Sequence, residues 1–185
     1  MCKMSESKNF IYLAKINPLL SQDKFDRLLQ IISKEGREKC LRFKFKEDAL
    51  RTLYGELLVR YVMCHQFLYK NEEIVFMRSA EGKPYIENIP VHFNISHSGD
   101  FVICAFSELE IGIDIEEIKE VDLAIAERFF CSFEVQDLFM QKQVDQFEYF
   151  FSLWTLKESY LKWLGSGMAI PLDSFGFKMT EKRAI

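Results

Sequence analysis

HFNISHSGDFVICAFSELEIGIDIE, residues 92–116, is the stretch whose reading decides the fold. Phe101–Phe106 and Ile111–Ile115 are apolar and rich in β-branched residues, and Ser107–Glu110 breaks them, so the pattern predicts a strand, a turn and a second strand. A Ser-His pair, Ser96 and His97, and then two carboxylates stand at the ends of these neighbouring strands. Within the second strand Asp114 and Glu116 are two apart and share one face, while Ile113 and Ile115 point to the other. Like charges held that close are costly unless a cation or a shared proton relieves them, and hard carboxylate oxygens suit Mg²⁺ far better than zinc or copper. The stretch therefore reads as a magnesium site. Any half-buried strand with a solvated acidic face would show the same alternation, so the surrounding chain decides between the two.

With 185 residues the chain is long enough for one sizeable domain or two small fused halves, and 49% hydrophobic residues imply a packed core. Lys plus Arg number 24 against 28 Asp plus Glu, a net charge of −4, which provides no overall field for nucleic acid or an anionic membrane. Any anion must be met by local basic residues. The opening MCKMSESKNF lacks the apolar core of a signal peptide, and no apolar run approaches a membrane span, so the expected setting is cytoplasmic. Five cysteines, at 2, 40, 64, 104 and 131, form an odd set without a CxxC pair and read as reduced thiols.

Phe10–Ile16 alternates as a strand, and Ser21 caps a helix carrying Phe25, Leu28, Leu29 and Ile32. Lys34–Lys46 interleaves Arg37, Lys39, Arg42, Lys44 and Lys46 with Leu41, Phe43 and Phe45; a solvated helix face explains it, and a supply of cations for a phosphate is the alternative. A long helical pattern runs from Glu47 to Leu68, with His65 beside its apolar face as a structural histidine. Ile74–Met77 reads as a short strand, and Gly82-Lys83-Pro84 as a turn with a lysine at its apex. Leu123–Phe130 and Glu134–Met140 read as two short helices, the second opening on Glu134 where the helix dipole favours an acid. Phe150–Leu164 is a helix stopped by Gly165 and Gly167, and its Trp154, Glu158 and Lys162 form one stripe.

Gly82-Lys83-Pro84, the FNISHSG run from Phe93 to Gly99, IGIDIE from Ile111 to Glu116, and WTLKESYLK from Trp154 to Lys162 stand in the order and approximate spacing of a known family. In these motifs, and in REKCLRF, KEDALRTLYGELLVR, AERFF and PLDSF, nearly the whole chain resembles the 4'-phosphopantetheinyl transferases of the Sfp type, which activate peptide synthetases.

The resemblance implies an α+β fold of two similar halves, residues 1–107 and 108–185, with the active site in the cleft between them. It implies Mg²⁺-dependent transfer of the phosphopantetheine arm of coenzyme A to a serine of an acyl or peptidyl carrier protein, releasing adenosine 3',5'-bisphosphate. Asp114, Glu116 and Glu158 match the metal ligands. Ser96 and His97 would contact coenzyme A phosphates, Lys162 would neutralise the diphosphate, and Lys39, Arg51, Thr52, Gly82, Lys83 and Pro84 would hold the nucleotide end. Glu158 or a metal-bound water would take the serine proton, and Glu134 matches a further acid of the site. Carrier docking would use the region from Lys119 to Phe133, with Val121, Leu123, Ile125, Phe129 and Phe130 as apolar contacts and Arg128 as charge. Gly36 stands where relatives often carry a basic residue, which predicts one weaker 3'-phosphate contact. Ser174–Lys178 reads as a strand, and the chain stops at Ile185 where the type continues, so the second half is expected to be incomplete and unstable. The competing functional readings are a coenzyme A-binding protein that has lost transfer and a metal-dependent phosphohydrolase.

Overall fold

In the computed structural model, which describes residues 9–179, alternation at the start of the chain builds a sheet. Phe10, Tyr12 and Ala14 of β1 (Phe10–Lys15) turn inward and Ile11, Leu13 and Lys15 outward, as the two-residue period of a strand requires. β1 pairs antiparallel with β5 (Phe101–Ser107), which pairs antiparallel with β4 (His92–Ser98), giving the order β1-β5-β4. A separate antiparallel pair, β2 (Phe76–Arg78) with β3 (Pro84–Ile86), forms a hairpin whose turn carries Gly82 at φ +88°.

Helices cover the inner face of the larger sheet. Ser21 accepts a hydrogen bond from the Lys24 amide and caps α1 (Gln22–Leu29), and Ser33 accepts from the Gly36 amide to cap α2 (Lys34–Arg42). The central helix α3 (Lys46–His65) buries Leu50, Leu53, Val59, Val62 and Met63 against Val102, Cys104 and Phe106 of β5 and Phe93 of β4. Its pattern was expected to reach Leu68, but the helix stops at His65 and Leu68 takes φ +60°. His65 is exposed and stacks on Tyr61.

The second half adds α4 (Ala126–Phe129), α5 (Ser132–Met140) and α6 (Gln146–Leu164), the last closed by Gly165 in the left-handed conformation at φ 69°. Ala126, Phe130, Leu138, Phe150, Phe151 and Leu153 form its core, with Trp154 packed among the rings of Phe129, Phe130 and Phe150. The whole is α+β, as expected. Cys40, Cys64, Cys104 and Cys131 are free thiols, and burial raises the Cys40 pKa to about 11; Cys2 lies outside the described residues.

Three stretches depart from the sequence reading. Phe93–Ser98, not assigned to a strand above, is most of β4. Ile111–Ile115, expected as a strand, joins no ladder: the Ile113 N–H donates to the Asn94 side chain at Oδ1, and just beyond the stretch the Glu117 N–H donates to Ser98 Oγ. Ser174–Lys178 is not a strand either: Leu172–Ser174 is a 3₁₀ turn, and residues 175–178 are irregular. What was expected beyond Met179 lies outside the described residues.

The strap formed by residues 111–117 is wedged between β4 and α6 at Gly112. A Cβ there would lie 2.0 Å from the Ser159 carbonyl oxygen and 2.5 Å from the Trp163 nitrogen, both backbone atoms that cannot give way. Gly112→Ala must push the strap off the helix, at the cost of about 1–3 kcal/mol typical of overpacking. The expected result is a thermal midpoint several degrees lower, measured by circular dichroism; an unchanged midpoint would contradict this packing.

Candidate active site

Polar alternation on β4 builds the floor of the site. Asn94, Ser96 and Ser98 share the outer face of the strand, two residues apart, and each meets the strap. Asn94 fixes Ile113 through its amide. Ser96 Oγ donates to Asp114 Oδ1 at 2.6 Å, and Ser98 Oγ donates to Glu116 Oε2 at 2.9 Å. The two acids therefore lie along one side of the strap, as their spacing predicted, although no strand holds them.

α6 closes the site from the second half. Lys162 Nζ stands 2.5 Å from Asp114 Oδ1 and donates to Ser96 Oγ at 2.8 Å. The Asp114 side chain is only 3% exposed, so its charge is met by this ammonium and by the serine hydroxyl on one oxygen alone. Its other oxygen, Oδ2, is buried without a hydrogen-bond partner. Such an atom normally costs about 1–3 kcal/mol or more unless a further group satisfies it. One turn before Lys162, Glu158 is half-buried. Burial raises its pKa above the usual carboxylate value, Lys162 opposes the rise, and the charges of Asp114 and Glu116 add to it. The three acids thus feel one another, and their oxygen donors and the orphaned Oδ2 fit a hard divalent cation, although among the described residues no three such side chains converge into a finished metal shell.

On the other side of β4 a cavity of about 190 Å³ is lined by Lys39, Arg51, Thr52 and His97 among others. Desolvation of the His97 ring, with the positive charges of Arg51, Lys162 and Lys39, holds its pKa below the ordinary histidine value, so the ring is neutral near pH 7. Arg51 donates to the Gly99 carbonyl and pairs with Asp48 at 2.9 Å. Of the residues read from sequence, Ser96, His97, Asp114, Glu116, Glu158 and Lys162 come together, with Lys39, Arg51 and Thr52 adjoining them through His97.

Two do not take the expected place. Lys83 does not present a free ammonium: it donates to Glu110 Oε2 at 2.7 Å and to the carbonyls of Ile111 and Trp163, so it braces the hairpin against the end of α6. Gly82 and Pro84 line a second cavity, of about 290 Å³, that Glu158 and Lys162 also reach. Glu134, expected to open α5, sits at its third position after the cap Cys131 and is fully buried. It pairs with Lys157 at 2.7 Å, and its oxygens accept from the Cys131 and Phe177 amides, so it is walled off from the other acids. The expected docking region is mostly core as well: Phe130 is 3% exposed and Val121, Leu123 and Phe129 pack inward, which leaves Ile125 at the surface and Arg128 over the Phe129 ring. Asn94, Ser98 and Gly112 were not singled out from sequence. The alternation of Asn94, Ser96 and Ser98 was the signal for the first two.

Comparison with known proteins bears on the same residues. Residues 17–109 match the family model described as 4'-phosphopantetheinyl transferase, N-terminal, and residues 110–185 match that of the 4'-phosphopantetheinyl transferase superfamily. The chain is 47% identical over 172 residues to 4'-phosphopantetheinyl transferase Sfp of Bacillus subtilis (strain 168), covering 92% of this chain and 77% of the relative. It is 42% identical over 175 residues to 4'-phosphopantetheinyl transferase psf-1 of Bacillus pumilus, covering 92% and 75%. It is also 30% identical to the human L-aminoadipate-semialdehyde dehydrogenase-phosphopantetheinyl transferase, covering 80% and 53%. Identity at this level over 92% of the chain, with family models matching residues 17–109 and 110–185, means that the chain belongs to the 4'-phosphopantetheinyl transferase family.

Proposed function

We propose that this chain transfers the phosphopantetheine arm of coenzyme A to a serine of a carrier protein, and that the seam between β4, the strap and α6 is its reacting centre. The observation that carries the reading is the Lys162 ammonium held against Asp114 and Ser96 across the seam, beside the orphaned Asp114 Oδ2. The halves are proposed as residues 1–107 and 108–185, which puts the boundary between them in the chain at the end of β5.

In the proposed reaction the carrier serine oxygen attacks the β-phosphorus of coenzyme A. A serine oxygen–phosphorus bond forms, the bridging phosphorus–oxygen bond breaks, and its electron pair leaves with adenosine 3',5'-bisphosphate. Negative charge grows on the diphosphate, so fixed cations and donors aimed there stabilise the transition state. Lys162 supplies the cation. Ser96 and the neutral His97 ring supply hydrogen bonds to phosphate oxygens. Asp114, Glu116 and Glu158 would hold Mg²⁺, which when bound supplies Lewis-acid neutralisation of the same charge. Glu158, half-buried one turn before Lys162, receives the serine proton. Lys39, Arg51 and Thr52 face the nucleotide end in the cavity beyond His97. Lys83 serves this geometry by bracing the end of α6, and Glu134 takes no part in the chemistry. Free thiols and the use of coenzyme A support a cytoplasmic setting; among the described residues no helix is long and apolar enough to cross a membrane.

Intact-mass measurement of an apo carrier protein incubated with the chain, Mg²⁺ and coenzyme A tests the reading: one added arm at serine is expected. Absence of the arm while a longer relative reacts in parallel would overturn it. Coenzyme A hydrolysis without any carrier would point to a phosphohydrolase.

The pH dependence follows from Glu158. Only its ionised form can take the serine proton, so transfer should be lost as pH falls through its pKa, which burial raises and a bound Mg²⁺ would lower. Glu158→Gln should lower kcat by about 10²–10⁴-fold and remove this acid limb; a variant that keeps the wild-type profile would take Glu158 out of the base role.

A further inference from the structure

Between α2 and α3 the chain turns its apolar residues outward. Every residue from Leu41 to Glu47 is exposed. The connecting loop Phe43-Lys44-Phe45 shows two rings to solvent, Phe43 at 36% and Phe45 at 58%, beside Leu41 at 64%. Lys46 donates to the Leu20 carbonyl at 2.8 Å, so the loop before α1, with Leu19 at 88%, lies alongside. Single apolar residues on a surface are ordinary, but a contiguous group set among cations has the composition of an interface centre, where aromatic residues and arginine are enriched.

The cations of this loop are uncommitted, whereas their neighbours are paired. In and around the nucleotide-side cavity Arg51 pairs with Asp48, Arg78 with Glu35, and Arg60 with Glu56, whose carboxylate also accepts from the Ser33 amide. Arg42 reaches the Glu38 carbonyl and Lys44 lies 5.5 Å from the Phe45 ring centre; neither has a carboxylate partner among the described residues. In a chain of net charge −4 an acidic partner is repelled by the surface at large and attracted here. The patch also stands close to the reacting centre. Lys39, which lines the cavity, lies 6.0 Å from the Phe43 ring centre. From Phe45 the start of α3 rises about 9 Å to Arg51, which donates to the Gly99 carbonyl next to Ser98, the residue that holds Glu116.

We infer that Leu41, Arg42, Phe43, Lys44 and Phe45 form a docking surface for the carrier protein, meeting an acidic face of it that also bears apolar side chains and bringing its serine to the seam. The inference rests on the proposed function, which makes a carrier the second substrate. It assigns docking to the first half in place of residues 119–133, whose apolar side chains are mostly core.

The test measures kcat and KM for an apo carrier protein and, separately, for coenzyme A. The variants are Arg42→Glu combined with Lys44→Glu, Phe45→Ser, and Arg128→Glu as the control for the other region. All the substituted residues are exposed, so each variant should keep the wild-type thermal transition. The double reversal should raise the carrier KM about tenfold or more and Phe45→Ser about fivefold, with kcat and the coenzyme A KM nearly unchanged. Added salt should raise the carrier KM of the wild type and change that of the reversed variant little. An unchanged carrier KM in the reversed variant, or a rise confined to Arg128→Glu, overturns the surface without touching the assigned reaction. An equal rise in the coenzyme A KM overturns it as well, since the residues would then serve the donor. Fluorescence anisotropy of a labelled apo carrier separates the two readings. A wild type that transfers nothing but binds the carrier, with binding lost in the reversed variant, overturns the reaction and upholds the surface; a wild type that does not bind the carrier overturns the surface. Retention on vesicles of phosphatidylserine and phosphatidylcholine, lost in the reversed variant while its carrier KM stays at the wild-type value, would mark a membrane contact instead and overturn the inference.

Discussion

A carboxylate removed from water has to be answered by something, and the answer to Asp114 organises this molecule. Its side chain is 3% exposed, and one oxygen is met by Ser96 from the first half and Lys162 from the second. A buried charge with no partner would cost several kcal/mol, so the two halves cannot separate at this point without exposing or stranding it. Other contacts serve the same approach. Asn94 and Ser98 hold the strap to β4, Gly112 lets α6 lie on the strap, and Lys83 ties the hairpin to the end of that helix. The chemistry assigned to the site uses what this arrangement leaves over, namely the free oxygen of Asp114, the neighbouring acids and one shared ammonium.

A second buried pair keeps α6 in register. Lys157 and Glu134 are both 0% exposed and satisfied: Lys157 donates to the Leu172 and Phe175 carbonyls, and Glu134 accepts from the Cys131 and Phe177 amides. Removing one partner of such a pair typically costs about 3–5 kcal/mol, because the other is left charged in a dry interior. Lys157 immediately precedes Glu158, so the pair that fixes residues 172–177 against the helix also fixes the direction in which Glu158 points. That is why an acid suited by type to the active site lies outside it.

Much of this was legible from residues alone where one period dominated. Helices α3 and α6 followed from apolar spacing, β5 from a β-branched run, and the shared side of Asp114 and Glu116 from a two-residue spacing that holds for any extended chain. β4 was missed because its outward alternation is serine and asparagine rather than apolar residues. Ile111–Ile115 looked like a strand because its composition is that of one; composition does not reveal that the Ile113 amide bonds to the Asn94 side chain on β4. Ser174–Lys178 failed for the same reason, its backbone being held by Lys157 and Glu134. Distant pairings were invisible: Ser33 and Glu56 are 23 residues apart, and Lys83 and Trp163 are 80 apart. The charge state of the nucleotide cavity and the engagement of Lys83 depend on those pairings.

The central claim is that Asp114 meets Lys162 with one oxygen and offers the other to a cation together with Glu116 and Glu158. Calorimetric titration of coenzyme A into the folded chain, at zero and saturating Mg²⁺, tests this without relying on turnover. The wild type should bind more tightly with Mg²⁺, and Asp114→Asn, which keeps the shape and loses the charge, should bind with little or no dependence on the metal while retaining a cooperative thermal transition. An Asp114→Asn chain with the wild-type magnesium response would contradict the account.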